Sequence, residues 1–159
     1  MDDQRNVERE LLERELTSAQ QRLFSESQQV AHAFARQHGM TERDFSAILA
    51  IMLGEVTGEA LTPTALAKRI RLSSPATTSV INKLVAAGHA ERHRDSEDLR
   101  RVTLRYGPAA REVAGAFFAP LAEASRAHAD QFSTTELRTV ARWLTGMADI
   151  MGSRAAELD

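Results

Sequence analysis

The sequence predicts a mainly α-helical protein with one small β-hairpin. Apolar residues recur at helical spacing over long segments near both ends of the 159-residue chain. Between those segments, Leu61 to Tyr106 contains signals for two short helices, a tight turn and a charged hairpin in immediate succession. The hydrophobic content of 43% and the charged content of 26% are ordinary for a globular protein, and the length favours a single domain over residues 1–159.

The N-terminal part is expected to form two helices. Residues 5–37 contain neither proline nor glycine, and apolar residues recur there at seven-residue steps. Gly39 should end this long helix, and the run Thr-Glu-Arg-Asp at residues 41–44 should cap the next one. Residues 54–58, which begin and end with glycine, are predicted to form a loop.

Two further helices are predicted in close succession. The hydroxyl group of Thr62 can cap a helix with Pro63 at its first position, where the missing N–H costs nothing. Residues 71–73 are too short for anything but a turn. Ser74-Pro75 then repeats the cap-and-proline signal for a helix that ends near Ala87. Helices joined by so short a turn must cross steeply, as they do in a helix-turn-helix.

The second of these helices should bury one face and expose the other. Val80, Ile81 and Leu84 form its apolar stripe. The residues on or near the opposite face are small, hydroxylated or amide-bearing, with a single basic group. They are Ala76, Thr77, Ser79, Asn82 and Lys83.

A β-hairpin is expected to follow this helix. Gly88 is well placed to end the helix in a left-handed conformation. Residues 89–94 and 101–106 then flank the polar tip at 95–100, and the second arm alternates as a half-exposed strand should. A helix-turn-helix followed by such a hairpin, or wing, is a winged helix-turn-helix. This arrangement points to DNA.

The distribution of charge supports a nucleic-acid partner although the net charge of the chain is −2. Residues 62–105 hold nine Lys and Arg residues against four acidic residues, a net charge of +5, which leaves −7 for the remainder. A localised phosphate-binding surface on an acidic body requires this kind of segregation. For any single Lys or Arg, the alternative is that the side chain is only a solvated surface group and contacts no phosphate.

Two helices are predicted after the wing. Gly107-Pro108 breaks the strand, and an alanine-rich helix runs from residue 109 to about residue 130, with a kink expected at Pro120. Residues 133–136, Ser-Thr-Thr-Glu, form a capping box that opens the last helix.

The terminal helices are expected to form a dimer interface. A domain of this size cannot easily cover the apolar stripes of such long helices, whereas a partner subunit can. We therefore assign residues 1–38 and 109–159 to dimerisation and residues 41–106 to the winged helix-turn-helix. The alternative is a single-chain helical bundle.

The segment from Ala65 through Leu84 to Gly88 resembles the helix-turn-helix of the MarR family of bacterial transcriptional regulators. The tip resembles that family's wing motif, which commonly reads Asp-Arg-Arg; here it reads Asp98-Leu99-Arg100, which keeps only the second arginine. The resemblance covers essentially the whole chain, because the family flanks its winged domain with long terminal helices. It implies a homodimeric repressor that binds a pseudo-palindromic operator in double-stranded DNA.

The predicted DNA contacts lie in the second helix and in the wing. Hydroxyl groups near the helix N-terminus should face phosphates, while Asn82 and Lys83 could pair with adenine and guanine edges in the major groove. The resemblance implies that Arg100 enters the minor groove. The predicted contact residues are Ser73, Ser74, Thr77, Thr78, Ser79, Asn82, Lys83, Arg92, Arg94, Asp98, Arg100 and Arg101.

The resemblance also implies regulation by a ligand. Many relatives are released from DNA by small aromatic anions bound between the dimer helices and the winged domain. In this chain, apolar walls and cationic groups for such an effector would come from His32, Arg36, Phe45 and Phe117. The alternative is that these residues only pack a hinge and that no ligand acts there.

Other chemistries find little support in the sequence. The absence of cysteine excludes disulfides, thiolate zinc sites and cysteine-based redox sensing. His32 and His128 could meet at a metal only across the fold, so no metal or cofactor is predicted. No nucleophile elbow or phosphate-binding glycine loop is present, so the chain is not expected to be an enzyme. Without an apolar run of about 18 residues, we expect no membrane association and a cytoplasmic location.

Two classes of function therefore remain. The first is a DNA-binding transcriptional regulator whose affinity for its operator responds to a small aromatic effector. The second is a winged-helix module that binds proteins and not DNA, whose exposed face would be acidic or apolar. The hydroxylated face of the second helix and the basic wing favour the first.

Overall fold

The computed structural model describes residues 2–94 and 101–158. Over these residues it contains six helices and one two-stranded antiparallel sheet, which confirms the predicted fold class of a mainly α protein with a small β-wing. In chain order the elements are α1 (Asp2–Gln37), α2 (Glu42–Val56), α3 (Pro63–Arg69), α4 (Ser74–Ala86), β1 (Ala90–Arg94), β2 (Val102–Tyr106), α5 (Pro108–Ala129) and α6 (Thr134–Glu157).

The chain divides into two compact units. The first unit ends at Ala114 and contains α1 to α4, the sheet and the first turns of α5, whereas the second begins at Gly115 and contains the rest of α5 and α6. Among the described residues, no helix is both long enough and apolar enough to cross a membrane.

Helix starts follow the predicted caps closely. The Thr41 hydroxyl accepts the Asp44 N–H at 3.2 Å, and the Asp44 carboxylate accepts the Thr41 N–H at 2.9 Å, which completes a capping box. Thr62 caps α3 through the N–H of Ala65, with Pro63 at the start of the helix. Gly88 adopts the left-handed conformation expected after α4, with φ of 69°.

Two predicted boundaries are wrong. Helix α2 continues to Val56, so residues 54–56 are helical and the loop starts later than expected. Gly54 is required there for space, because a Cβ atom on it would lie 2.7 Å from the carbonyl oxygen of Glu59. Ser73 caps α4 in place of Ser74, and its side chain accepts the Ala76 N–H.

The core of the first unit lies between α2, α3, α4 and the sheet. Its largest fully buried apolar side chains are Ile51, Leu66, Ile81, Leu84 and Leu104. These come from four different elements, so α4 is held against the body of the unit by one continuous apolar cluster.

The wing is joined to α2 and α5 by a network around one carboxylate. Glu55 accepts the Tyr106 N–H at 3.1 Å and a guanidinium N–H of Arg111 at 2.9 Å. Arg111 also donates to the carbonyl oxygen of Tyr106 at 2.9 Å, and the Tyr106 hydroxyl donates to the carbonyl oxygen of Ala110 at 3.0 Å. The end of α2, the end of β2 and the first turn of α5 are therefore tied together.

The long helices expose apolar side chains. On α6, within the second unit, exposed apolar residues recur at helical spacing at Leu137, Val140, Leu144 and Met151. On α1, within the first unit, they include Val7, Leu11, Leu16 and Leu23. Ser133 and Glu136 form the predicted capping box at the start of α6.

Candidate nucleic-acid interface

Helix α4 presents a polar face, but Thr77 does not belong to it. Thr77 is only 2% exposed, and its hydroxyl donates to the carbonyl oxygen of Ser73 at 3.0 Å. The prediction that Thr77 lies on the outer face and contacts phosphate through its side chain is therefore wrong. Thr77 stands four residues before Ile81 and seven before Leu84, so the helical period already placed it on the buried stripe.

The other hydroxyl and amide residues predicted on α4 are exposed. We call this set the outer face, and it consists of Ser73, Ser74, Thr78, Ser79 and Asn82. The Thr78 hydroxyl donates to the carbonyl oxygen of Ser74 at 2.9 Å. Because this bond is local and exposed, the hydroxyl can donate to another acceptor in its place. The outer face is thus small, polar and uncharged.

Lys83 is paired with a buried carboxylate. Its ammonium nitrogen lies 2.5 Å from an oxygen of Asp44, whose side chain is 4% exposed, whereas the Lys83 side chain is 56% exposed. The pair joins residues 39 positions apart and fastens α4 to the first turn of α2. The ammonium group of Lys83, which was predicted to pair with guanine, is therefore bound to the carboxylate of the α2 capping box in this conformation.

The surroundings of Asp44 favour its ionised form. Burial acts to raise the pKa of Asp44, but the hydrogen bonds from Lys83 and Thr41 and the charge of Lys83 outweigh it, so the pKa lies below the ordinary value of 3.8. A carboxyl group with a lowered pKa stabilises the folded state fully above that ordinary value. This stabilisation of the folded state is lost as the pH falls through the lowered pKa of Asp44.

Asp44→Asn should therefore lower the free energy of unfolding by about 1–2 kcal/mol at neutral pH, because it removes charge-assisted hydrogen bonds. The difference from wild type should stay constant above about pH 5 and shrink below the ordinary Asp pKa near 4. Urea titrations across pH 3–7 measure it. Asp149→Asn, an exposed position on α6, is the matched control. A difference between wild type and Asp44→Asn that is as large at pH 3 as at pH 7 would contradict this account.

Arg92 on β1 contacts the outer face directly. Its guanidinium Nη2 donates to Oδ1 of Asn82 at 2.7 Å, and both residues are exposed. This bond joins the wing to α4 at the position where base contacts were predicted. Nothing in the sequence pairs the two residues, since a contact across ten positions depends on how tightly the chain turns at Gly88.

The two wing strands pair in the predicted antiparallel arrangement. Arg92 lies opposite Leu104 and Arg94 opposite Val102 in the register. Because side chains alternate along a strand, Arg92 and Arg94 share one face of the hairpin. Arg94 and Arg101 are exposed, as phosphate contacts require. Asp98 and Arg100 lie outside the described residues, so their predicted roles at the wing tip stay predictions.

The residues predicted for effector binding are distributed over both units. His32 and Arg36 are exposed on α1, and His32 lies 3.5 Å from the carboxylate of Glu42. Phe45 is half-buried, and its ring centroid lies 5.7 Å from that of Phe34. Phe117 belongs to the second unit. The effector site therefore stays a prediction.

Residues 38–101 match the sequence model of the MarR family. No curated protein matches the chain. Proteins of this family are transcriptional regulators and are generally not enzymes.

Solved structures of MepR from S. aureus share the fold of this chain. A mutant from a multidrug-resistant clinical isolate gives a TM-score of 0.65 at 19% identity, over 84% of this chain and 96% of that one. A MepR–DNA complex gives 0.52 at 19% identity, over 81% and 94%. MepR bound to ethidium bromide gives 0.53 at 20% identity, over 84% and 95%.

Proposed function

We propose that this protein is a homodimeric repressor of the MarR family that binds a pseudo-palindromic operator. The observation that carries the proposal is the outer face of α4, which is exposed and polar and is contacted at Asn82 by the wing arginine Arg92. An exposed helix of this composition fits the major groove, where hydroxyl and amide groups reach phosphates and base edges. The existence of a MepR–DNA complex supports DNA as the partner.

A protein partner for the same face has less support. A winged-helix module that binds proteins would be expected to expose apolar or acidic residues on α4. The outer face contains neither, and Arg94 on β1 and Arg101 before β2 are exposed cations of the wing. We therefore assign residues 41–106 to DNA binding.

The exposed apolar residues of α1 and α6 support the proposed dimer. Stripes of this kind on soluble proteins mark interaction surfaces, and a second copy is the commonest partner. We assign residues 1–38 and 109–159 to dimerisation. A two-fold dimer places its recognition helices about one helical turn of DNA apart, so we expect half-sites with that spacing.

The wing is assigned to the DNA backbone and the minor groove. We assign Arg94 and Arg101 to phosphates. The family's wing motif implies that Arg100 enters the minor groove, and Asp98 or Asp95 would hold the tip in shape. Selection of bound duplexes from a randomised DNA library, followed by affinity measurements between 50 and 200 mM salt, tests the whole proposal. Recovery of an inverted repeat would support it, and the absence of any binding would refute it.

Single arginine substitutions sharpen this test. Arg94→Ala should lower the affinity for the selected duplex and reduce the slope of log affinity against log salt by about one unit, because one phosphate contact releases about one counterion. Arg101→Ala should do the same. Arg142→Ala on α6, which is also exposed, should leave both quantities unchanged. An unchanged slope for both wing variants would show that the wing does not contact phosphate.

We also propose that a small aromatic ligand releases the protein from DNA, with His32, Arg36 and Phe45 of the first unit as its candidate contacts. A MepR structure with ethidium bromide supports a small-molecule partner for this fold. The ligand must favour the DNA-incompetent conformation, and a tenfold loss of operator affinity requires about 1.4 kcal/mol of differential binding. A thermal-shift screen of aromatic acids and ethidium, followed by operator titration with each hit, tests this. Stabilisation without loss of operator affinity would refute the coupling.

A further inference from the structure

The contact between Arg92 and Asn82 fixes which end of the Asn82 amide is available. An arginine side chain carries only hydrogen-bond donors, so the carboxamide must turn its oxygen toward it. The hydrogen bond in the structure agrees, with Nη2 of Arg92 at 2.7 Å from Oδ1 of Asn82. The NH₂ group of Asn82 is then the end that remains for another partner.

Hydrogen bonds and strand pairing hold the backbone on both sides of this contact. After α4, the N–H of His89 donates to the carbonyl oxygen of Leu84 at 2.8 Å and Gly88 makes the left-handed turn, which brings β1 back alongside the helix. Arg92 is paired in register with Leu104, whose side chain is fully buried. The neighbouring Lys83 is held by Asp44. The Asn82 amide is therefore presented from a fixed position.

This arrangement changes the base that Asn82 can recognise. An asparagine that acts alone reads adenine with both ends of its amide, because its oxygen accepts from N6 and its NH₂ donates to N7. When the oxygen accepts a charge-assisted bond from Arg92, the NH₂ of Asn82 and the other N–H groups of Arg92 together offer donors only. Guanine presents two adjacent acceptors, N7 and O6, in the major groove.

We propose that Arg92 and Asn82 form one donor pair that selects guanine at one position of each operator half-site. Arg92 is a positioning residue for the Asn82 amide and adds its own donor. This inference rests on the proposed function, and it gives a base-reading role to Arg92, which the sequence predicted only as a DNA contact. It makes Arg92 a determinant of base identity in addition to affinity.

The test is duplex selection with the full-length wild type and four variants, Asn82→Ala, Arg92→Ala, Arg92→Lys and the double alanine variant. The wild type should prefer guanine at one position by about tenfold or more. Asn82→Ala should lose preference there. Arg92→Ala should shift the preference at that position from guanine toward adenine, because the released amide oxygen can accept from N6. Arg92→Lys, which keeps a donor beside the oxygen, should retain guanine.

A double-mutant comparison on the selected duplex gives a second readout. If the two side chains act as a unit, Arg92→Ala and Asn82→Ala together should weaken binding by much less than the product of the two single fold-changes. Arg94→Ala is the matched control, since Arg94 lies two residues further along the same strand face. It should reduce the salt slope and leave the base preference unchanged.

Two results would overturn the inference while the proposed function stands. One is an Arg92→Ala variant that keeps the wild-type guanine preference and loses only salt slope, which would make Arg92 a phosphate contact. The other is fold-changes of the two single variants that multiply in the double variant. Failure of the wild type to bind any duplex would overturn the proposed function and this inference with it. Thermal unfolding of each variant establishes that the exposed substitutions leave the fold intact.

Discussion

Leu144→Glu should convert the protein from a dimer to a monomer and abolish tight operator binding. Leu144 is 43% exposed on α6, in the same stripe as Leu137, Val140 and Met151. A carboxylate there would have to lose its water of hydration against an apolar partner surface, which costs several kcal/mol. A monomer engages one half-site at a time and loses the effective concentration that links the second binding event to the first, so affinity should fall by about 10²–10⁴.

Light scattering at micromolar concentration and operator titration measure the two effects. The monomer mass is 17.5 kDa, so a wild-type dimer has twice that mass. Thr139→Glu is the control, because it adds the same charge to an exposed position of α6 away from the stripe. A wild-type protein that scatters as a monomer, or a Leu144→Glu variant that remains dimeric, would contradict the assignment of α6 to the interface.

Gly107→Ala should destabilise the winged domain by about 3 kcal/mol or more, because the backbone leaves no room for a methyl group. A Cβ atom on Gly107 would lie 2.6 Å from the carbonyl carbon of His89 and 2.8 Å from the nitrogen of Ala90. Gly107 also donates to the carbonyl oxygen of His89 at 3.0 Å, so the two chain segments cannot separate without losing that bond. These neighbours are main-chain atoms and cannot rotate away.

Gly146→Ala is the matched substitution. A Cβ atom on Gly146 would meet no atom within 4 Å, and the residue lies inside α6. Alanine there should raise stability by up to about 1 kcal/mol, because both substitutions reduce the entropy of the unfolded chain and only one creates a clash. Thermal and urea unfolding measure the pair. Equal stabilities of the two variants would show that the backbone of residues 88–90 can move away from Gly107 at little cost in free energy.

Local signals in the sequence were sufficient to predict the elements of this fold. Thr41, Thr62 and Ser133 each begin a helix because a hydroxyl can accept the N–H three residues on, and this requires no distant partner. Proline and glycine mark α3 and the end of α4 for similarly local steric reasons. The two wrong boundaries, at the start of α4 and at residues 54–56, also have local causes. Ser73 and Ser74 could each cap α4, and Gly54 and Gly58 could each begin the turn after α2.

The contacts that define the candidate interface could not be predicted in this way. Lys83 meets Asp44 across 39 positions and Arg92 meets Asn82 across ten. Each pair depends on the packing of α4 against α2 or on the path of the chain after Gly88, and charge or hydrogen-bonding type alone offers many equivalent partners. Thr77 is different, because the helical period placed it on the buried stripe and its hydroxyl obscured that signal.

The carboxylate of Glu55 acts as a mechanical junction. Because it accepts from the N–H of Tyr106 and from Arg111 at once, the base of the wing and the first turn of α5 share one anchor on α2. Arg111 also donates to the carbonyl oxygen of Tyr106, which joins the first turn of α5 directly to the end of β2. A displacement of that first turn must either carry β2 with it or break charge-assisted hydrogen bonds, so a signal that reaches the start of α5 is transmitted directly to the hairpin that carries Arg92.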